Sequence, residues 1–229
     1  AAFLLRQMAV GFPPGTIHVA VVDPGVGGRR APIVIETEGG SALVGPDNGV
    51  LAPLAHALGS PRGHRILPAA LHPPGTRLSR TFEGRDVFAP AAVALATGRD
   101  LSLFSESATF TDLALPAPAR TPGGISGEVL HTDRFGNLIT NVPTEWLPAT
   151  VPVVDLRVGR RSRRSVPVVA TYEEIPPGAE LAVLGSSFGT LEVSVREGSA
   201  ARTLGATSAA PVRLRWPVSA GRRRAQEGK

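Results

Sequence analysis

Apolar and polar positions follow two different rhythms in the two halves of this chain. Residues 1–10 place Phe3, Leu4, Met8 and Val10 at helical spacing with no capping residue ahead of them, so a helix is predicted to be under way at the first residue. A chain that opens inside a helix is expected to be a piece of a longer one. Gly11-Phe12-Pro13-Pro14-Gly15 ends that helix, and residues 16–22, rich in β-branched side chains, read as a strand. Further strands are predicted over 32–37 and 41–44, a short helix over 51–58, and another helix over about 88–97. Pro90 falls in the first turn of that last helix, where its missing N–H does no harm. Strands interleaved with helices predict an α/β layer.

Near Leu115 the texture changes. Pro116, Pro118, Pro122, Gly123 and Gly124 suggest a linker, and beyond them only strands and turns are expected. The predicted strands cover 125–131, 137–142, 151–158, 166–172, 180–184, 191–196 and 212–216. Short strands at this spacing, separated by Gly/Pro turns, predict a small β barrel or sandwich. The expected organisation is an α/β domain over 1–118, a linker over 119–124, a β domain over 125–218 and a basic, disordered tail over 219–229. No internal repeat is evident.

Composition narrows the class of protein. A chain of 229 residues can bury a sizeable core. No apolar run reaches the roughly 18 residues that span a bilayer, and no signal peptide opens the sequence. With no cysteine, disulfides and thiolate metal sites are excluded. A cytoplasmic protein without a membrane partner is the expectation. The net charge of +5 is concentrated in two places: Arg160, Arg161, Arg163 and Arg164 in one cluster, and Arg222, Arg223, Arg224 and Lys229 in the tail. Neither cluster has interleaved aromatics or a nucleic-acid motif, so a solvated loop and a frayed tail are expected, and nucleic acid is not an expected partner. The five histidines show no metal-ligand spacing: His18 reads as a strand residue, His56 as helical, His64 and His72 as loop residues, and His131 lies beside Asp133. No metal site is predicted.

Four polar loops could carry chemistry. Asp23-Pro24-Gly25-Val26-Gly27-Gly28-Arg29-Arg30 follows a hydrophobic strand, the position where α/β sheets place ligands. Its glycines would let backbone approach a substrate, although a tight turn with an Asx cap explains the same residues. It is neither a phosphate-binding P-loop nor a dinucleotide fingerprint. Gly45-Pro46-Asp47-Asn48-Gly49 is a good turn sequence by itself. Thr81-Phe82-Glu83-Gly84-Arg85-Asp86 runs into a helix, and Arg85 with Asp86 could be a structural pair or cap. Asp133-Arg134-Phe135-Gly136-Asn137 joins an aromatic to an amide and a carboxylate, which suits a nucleobase or ribose, while hairpin chemistry accounts equally well for the Gly-Asn pair.

Taken in order, these loops resemble one family. The run from His18 to Gly27, then Gly45 to Gly49, Gly84 to Pro90, Asp133 to Asn141, and Ser186 to Ala200 follow the order and spacing of the S-adenosylmethionine (SAM) hydroxide adenosyltransferases, relatives of the SAM-dependent fluorinase and chlorinase. The resemblance covers essentially the whole chain except the basic tail. It implies an α/β N-terminal domain with a Rossmann-like layered sheet, whose first strand would lie upstream of Ala1 with a ribose-binding Asp, followed by an all-β barrel-like domain. It implies a homotrimer in which SAM lies between subunits. Water or hydroxide displaces L-methionine from the ribose C5′ to leave adenosine, with SAM as substrate and no metal or further cofactor.

By the same likeness, Asp23 and Arg30 match two members of a water-positioning Asp–Arg–His set, and Glu83 stands where the family has His. The halogenating relatives carry Tyr at the position of Asp23, which implies hydrolysis rather than halogenation. Thr81 and Phe82 would line the substrate beside Glu83. Phe135 and Asn137 would face adenosine and Asp133 the methionine end, with Ser187, Glu192 and Val195 completing the site. An ionised Glu can only accept hydrogen bonds, where a neutral His can also donate. Glu83 could therefore be a working base, a member of a simple ion pair with Arg85 or Arg80, or the mark of a homologue that binds SAM or adenosine without cleaving it.

Overall fold

The computed structural model of the chain describes residues 1–98 and 105–216. The chain divides into two compact units, one up to Leu115 and one from Pro116 onward.

In the first unit, strands β1 (Ile17–Val19), β2 (Pro32–Glu36), β3 (Ala42–Pro46), β4 (Arg62–Ile66) and β5 (Ser105–Ala108) form a mixed sheet in the order β1-β3-β2-β4-β5. Only β1 and β3 pair in parallel; the other neighbours are antiparallel. The period-2 alternation of β2 explains the layering. Ile33 and Ile35 face one side, where they pack in a cluster with Ala2 and Ala9 of helix α1 (Ala2–Ala9) and with Leu54 and Ala55 of α2 (Ala52–Leu58). Val34 faces the other side and packs with Phe88, Ala91 and Ala94, the last two on α3 (Ala89–Ala96). Both sheet faces are therefore covered, giving the layered α/β arrangement expected from the sequence.

The second unit holds β6 (Ala119–Thr121), β7 (Gly124–Thr132), β8 (Leu138–Pro143), β9 (Val153–Val158), β10 (Arg161–Pro167), β11 (Ala182–Gly185), β12 (Thr190–Ser194), β13 (Pro211–Arg215) and the short helix α4 (Ala200–Leu204). Seven of these strands follow the order β10-β9-β13-β7-β8-β12-β11, with β6 on β7. Val168 beyond β10 bridges Val183 of β11, which nearly closes an antiparallel barrel. Strict alternation on β9 and β13 sends Val154, Leu156, Val158, Val212 and Leu214 into one apolar interior.

Several expected boundaries move. The strand predicted over 16–22 shortens to Ile17–Val19, flanked by two further bonds to β3: Thr16 O accepts from Ala42 N at 3.1 Å, and Ala20 N donates to Val44 O at 3.0 Å. The segment 119–124 is not a linker: β6 pairs with β7 across a Pro122-Gly123 turn. The Arg-rich segment 160–164, expected as a solvated loop, largely forms β10, where Arg161, Ser162 and Arg163 pair with β9, while the predicted 166–172 strand ends at Pro167. Backbone pairing overrides the polar composition there, since a barrel-edge strand can hold its arginines in solvent. His64 lies on β4, not in a loop. The tail expected over 219–229 lies outside the described residues. None of the described helices is long and apolar enough to cross a membrane.

Candidate active site

The first polar cluster belongs to the α/β unit. After β1 the chain turns through an Asx turn in which Asp23 Oδ1 accepts from Gly25 N at 3.2 Å, and Gly27 adopts a φ of 73° that favours glycine. The turn brings Arg30 back onto Asp23. Arg30 Nε donates to Asp23 Oδ2 at 2.9 Å, and Arg30 Nη2 donates both to Asp23 Oδ2 and to Glu83 Oε2. Only 5% of the Asp23 side chain, 11% of Arg30 and 20% of Glu83 remain exposed, so the three groups act on one another across a largely desolvated space. The guanidinium also lies 5.7 Å from the centre of the Phe88 ring. Burial works against the charge of Arg30, but the bonds to Asp23 and Glu83 outweigh it and raise its pKa above the ordinary value.

Two neighbouring loops hold this cluster. Asn48 Nδ2 donates to Val22 O at 2.9 Å, and Asp47 Oδ1 accepts from Thr111 N at 2.6 Å, so the Gly45–Gly49 turn braces the chain just before Asp23. On the other side Glu83 precedes a π-helical turn, Gly84–Phe88, that leads into α3. Asp86 anchors it by accepting from Ser79 N at 2.8 Å and from Arg85 Nε at 2.5 Å. The Arg85 bond first, then that of Ser79, depress the Asp86 pKa to about 2. Arg85 is thus engaged with Asp86, and Arg80 donates to Gly27 O at 2.8 Å. The expected pairing of Glu83 with Arg85 or Arg80 is corrected: its partner is Arg30. Thr81 and Phe82 sit exposed beside Glu83.

The second cluster lies in the β unit, around a cavity of about 580 Å³ at the β7–β8 turn. That volume falls in the range of small-molecule sites. Asp133 Oδ1 accepts from the backbone N–H groups of Phe135, Gly136 and Asn137 at 2.8–2.9 Å, so this carboxylate builds the loop it belongs to. Gly136, at φ 91°, packs its α-carbon against Ser199, leaving no room for a side chain there. Ser199 in turn caps α4, accepting from Arg202 N at 3.2 Å. The Phe135 ring, 63% exposed, stands at the cavity edge.

Asp133, Phe135, Asn137 and Val195 all line this cavity. Glu192 is buried and meets it only through Tyr172, whose hydroxyl donates to Glu192 Oε1. Ser187 is exposed in the β11–β12 turn and is not among the residues lining the cavity. Sequence reasoning missed Tyr172, Arg196 and Arg202. Tyr172 is the chain's sole tyrosine, and it sits at the end of a β-branched run that reads as ordinary strand. Among the described residues, no group of three or more His, Asp or Glu side chains is arranged to hold a metal ion.

Comparison with known proteins bears on both clusters. Residues 1–105 match the SAM hydroxide adenosyltransferase N-terminal domain and residues 127–213 its C-terminal domain. The chain belongs to the SAM hydroxide adenosyltransferase family. It is 42% identical to an (R)-S-adenosyl-L-methionine hydrolase of Thermus thermophilus, over 93% of this chain and 81% of that protein. It is 40% identical to the enzyme of the same name from Salinispora arenicola, over 93% of this chain and 79% of that one. Among solved structures, a conserved protein of Thermotoga maritima superposes with a TM-score of 0.82 at 31% identity, covering 94% of this chain and 82% of its own. The Asp23–Arg30–Glu83 cluster lies within the residues matching the N-terminal domain, and the Phe135–Asn137 cavity within those matching the C-terminal domain.

Proposed function

We propose that this chain hydrolyses (R)-S-adenosyl-L-methionine to adenosine and L-methionine, the activity its relatives are named for. The observation that carries the reading is the nearly buried carboxylate of Asp23, clamped by Arg30, in the loop after β1. The sulfonium of SAM is already a good leaving group, so the enzyme has no need to protonate methionine. Its task is to hold a water in line with C5′ and strip it of bulk solvent. In the step, the water oxygen bonds to C5′ as the C5′–S bond breaks, its electron pair returns to sulfur as neutral thioether, and the water gives up one proton to a carboxylate.

Asp23 accepts a hydrogen bond from that water, and Arg30 fixes the carboxylate and offsets its charge. Glu83 presents a second acceptor on the same guanidinium. A water held by two acceptors directs both its O–H bonds at the protein and leaves a lone pair for C5′. One cation between two carboxylates also gives the cluster a net negative charge, which disfavours halide and supports hydrolysis over halogenation. SAM needs no second cofactor or metal in this scheme.

The Phe135–Asn137 cavity takes the adenosine part of the substrate, Phe135 by stacking and Asn137 by hydrogen bonding, with Asp133 and Val195 on its wall. Thr81 and Phe82 flank the reacting end. The active assembly is a cytoplasmic homotrimer in which the α/β unit of one subunit meets the β unit of its neighbour around SAM. Incubation of the purified protein with SAM, with chromatography of the products, tests the function: adenosine and methionine in equal amounts are expected, and intact SAM would refute it.

A further inference from the structure

A chain of hydrogen bonds crosses the wall of the cavity from Asp133 through Asn137 and Tyr172 to Glu192. Asn137 Nδ2 donates to Asp133 Oδ2 at 3.0 Å and to the Tyr172 hydroxyl at 3.3 Å. The Tyr172 hydroxyl donates to Glu192 Oε1, which also accepts from Ser194 Oγ at 2.8 Å. Both ends of the chain are carboxylates, which can only accept. The direction of every bond between them follows. The phenol must give its single proton to Glu192, so toward Asn137 it can offer only a lone pair. The amide must then turn its NH₂ toward both Tyr172 and Asp133.

Both amide hydrogens are used in this arrangement, and Oδ1 is what remains. No donor among the described residues is bonded to Asn137 Oδ1, although Asn137 is buried and lines the cavity. Asn is the one residue here that could present either a donor or an acceptor to a ligand by rotating its amide. The relay removes that choice. Burial first, then the Glu192 bond, push the Tyr172 pKa up to about 12, so the phenol keeps the proton the relay depends on.

We propose that Tyr172 is a positioning residue that, together with Asp133, holds Asn137 as an acceptor and so makes the site selective for a purine with a 6-amino group over one with a 6-oxo group. This rests on the reading that the cavity holds the base of SAM. An exocyclic amine can donate to Asn137 Oδ1. A 6-oxo purine would set carbonyl oxygen against amide oxygen, leaving both unpaired in a confined space, and discrimination of that kind comes as much from the repulsion as from the lost bond. Glu192 then acts through Tyr172 rather than by touching substrate, which accounts for its burial.

Titration calorimetry with adenosine and with inosine reads the selectivity directly on the wild-type protein. Adenosine is expected to bind at least about tenfold tighter. Tyr172→Phe removes one of the two bonds that hold the amide and leaves the Asp133 bond as its only tether, so the ratio should fall below about threefold, and KM for SAM should rise while kcat changes little. Phe135→Leu is the control: it removes stacking, which does not distinguish the two bases, so both nucleosides should weaken alike with the ratio preserved. Equal binding of adenosine and inosine by the wild type would overturn the proposal without any variant. It would also be overturned if Tyr172→Phe kept the tenfold ratio, or weakened both nucleosides in parallel as Phe135→Leu does. If the wild type bound neither nucleoside and left SAM intact, the reading of the cavity itself would fail. Cleavage of SAM with no preference over its 6-oxo analogue would leave that reading standing and sink only the role of Tyr172.

Discussion

Glu83 bonds to Arg30, 53 positions away in sequence, and not to the nearby Arg85. That contact places a second carboxylate on the guanidinium that already clamps Asp23. The first prediction rests on this contact. Glu83→Gln keeps the size of the side chain and its ability to accept from Arg30, but it removes the charge and adds a donor. We expect kcat/KM to fall at least about tenfold, equivalent to about 1.4 kcal/mol of transition-state stabilisation, with the effect mainly in kcat. Steady-state kinetics measure it, and an unaltered kcat would place Glu83 outside the mechanism.

Asp86 holds the loop that delivers Glu83, and its protonation should be visible in stability. Its folded-state pKa, about 2, lies below the ordinary 3.8. A depressed carboxylate stabilises the fold fully above the unfolded value and loses that contribution as pH falls through the folded one. Wild-type stability should therefore drop between pH 3.8 and about 2 through this group. Asp86→Asn should lack that component while being less stable near neutrality. Denaturation midpoints measured across this acid range give the comparison; parallel curves for the two proteins would show that Asp86 carries no such linkage.

Because Tyr172 is the only tyrosine, its ionisation can be followed by tyrosinate absorbance without ambiguity. The phenol should titrate near pH 12 in the folded protein, against 10.0 ordinarily. A raised folded-state value contributes stability that is complete below the unfolded pKa and is lost as pH rises through the folded one, so the window here runs from 10.0 to about 12. Within it the native protein should show little tyrosinate and the denatured chain a large signal. A native midpoint at the ordinary value would mean that the phenol is neither buried nor bonded to Glu192 in the folded protein.

How much of this was legible beforehand depended on how locally each feature is encoded. The alternation of β9 and β13 was plain because every second side chain is apolar and buried. Strand β4, reading Arg-Gly-His-Arg-Ile, gave no such signal, since only Gly63 and Ile66 are buried in it. Strand β10 was obscured by its arginines, which a sheet edge tolerates and a composition argument assigns to a loop. In the site, Asp23 and Arg30 lie seven residues apart on one turn, and their pairing could be anticipated. The partner of Glu83 could not, because sequence proximity favours Arg85 while the fold delivers Arg30. Tyr172 and Glu192 meet only through barrel closure, which no local pattern announces.

In the proposed reaction water, positioned by the Asp23–Arg30–Glu83 cluster, attacks C5′ of SAM. Reaction in heavy-oxygen water, followed by mass spectrometry of the nucleoside, tests it most directly. Adenosine carrying one solvent-derived oxygen at the 5′-hydroxyl is expected, with unlabelled methionine, and the same product when halide is added. Adenosine without the label, or a 5′-halogenated nucleoside, would contradict it.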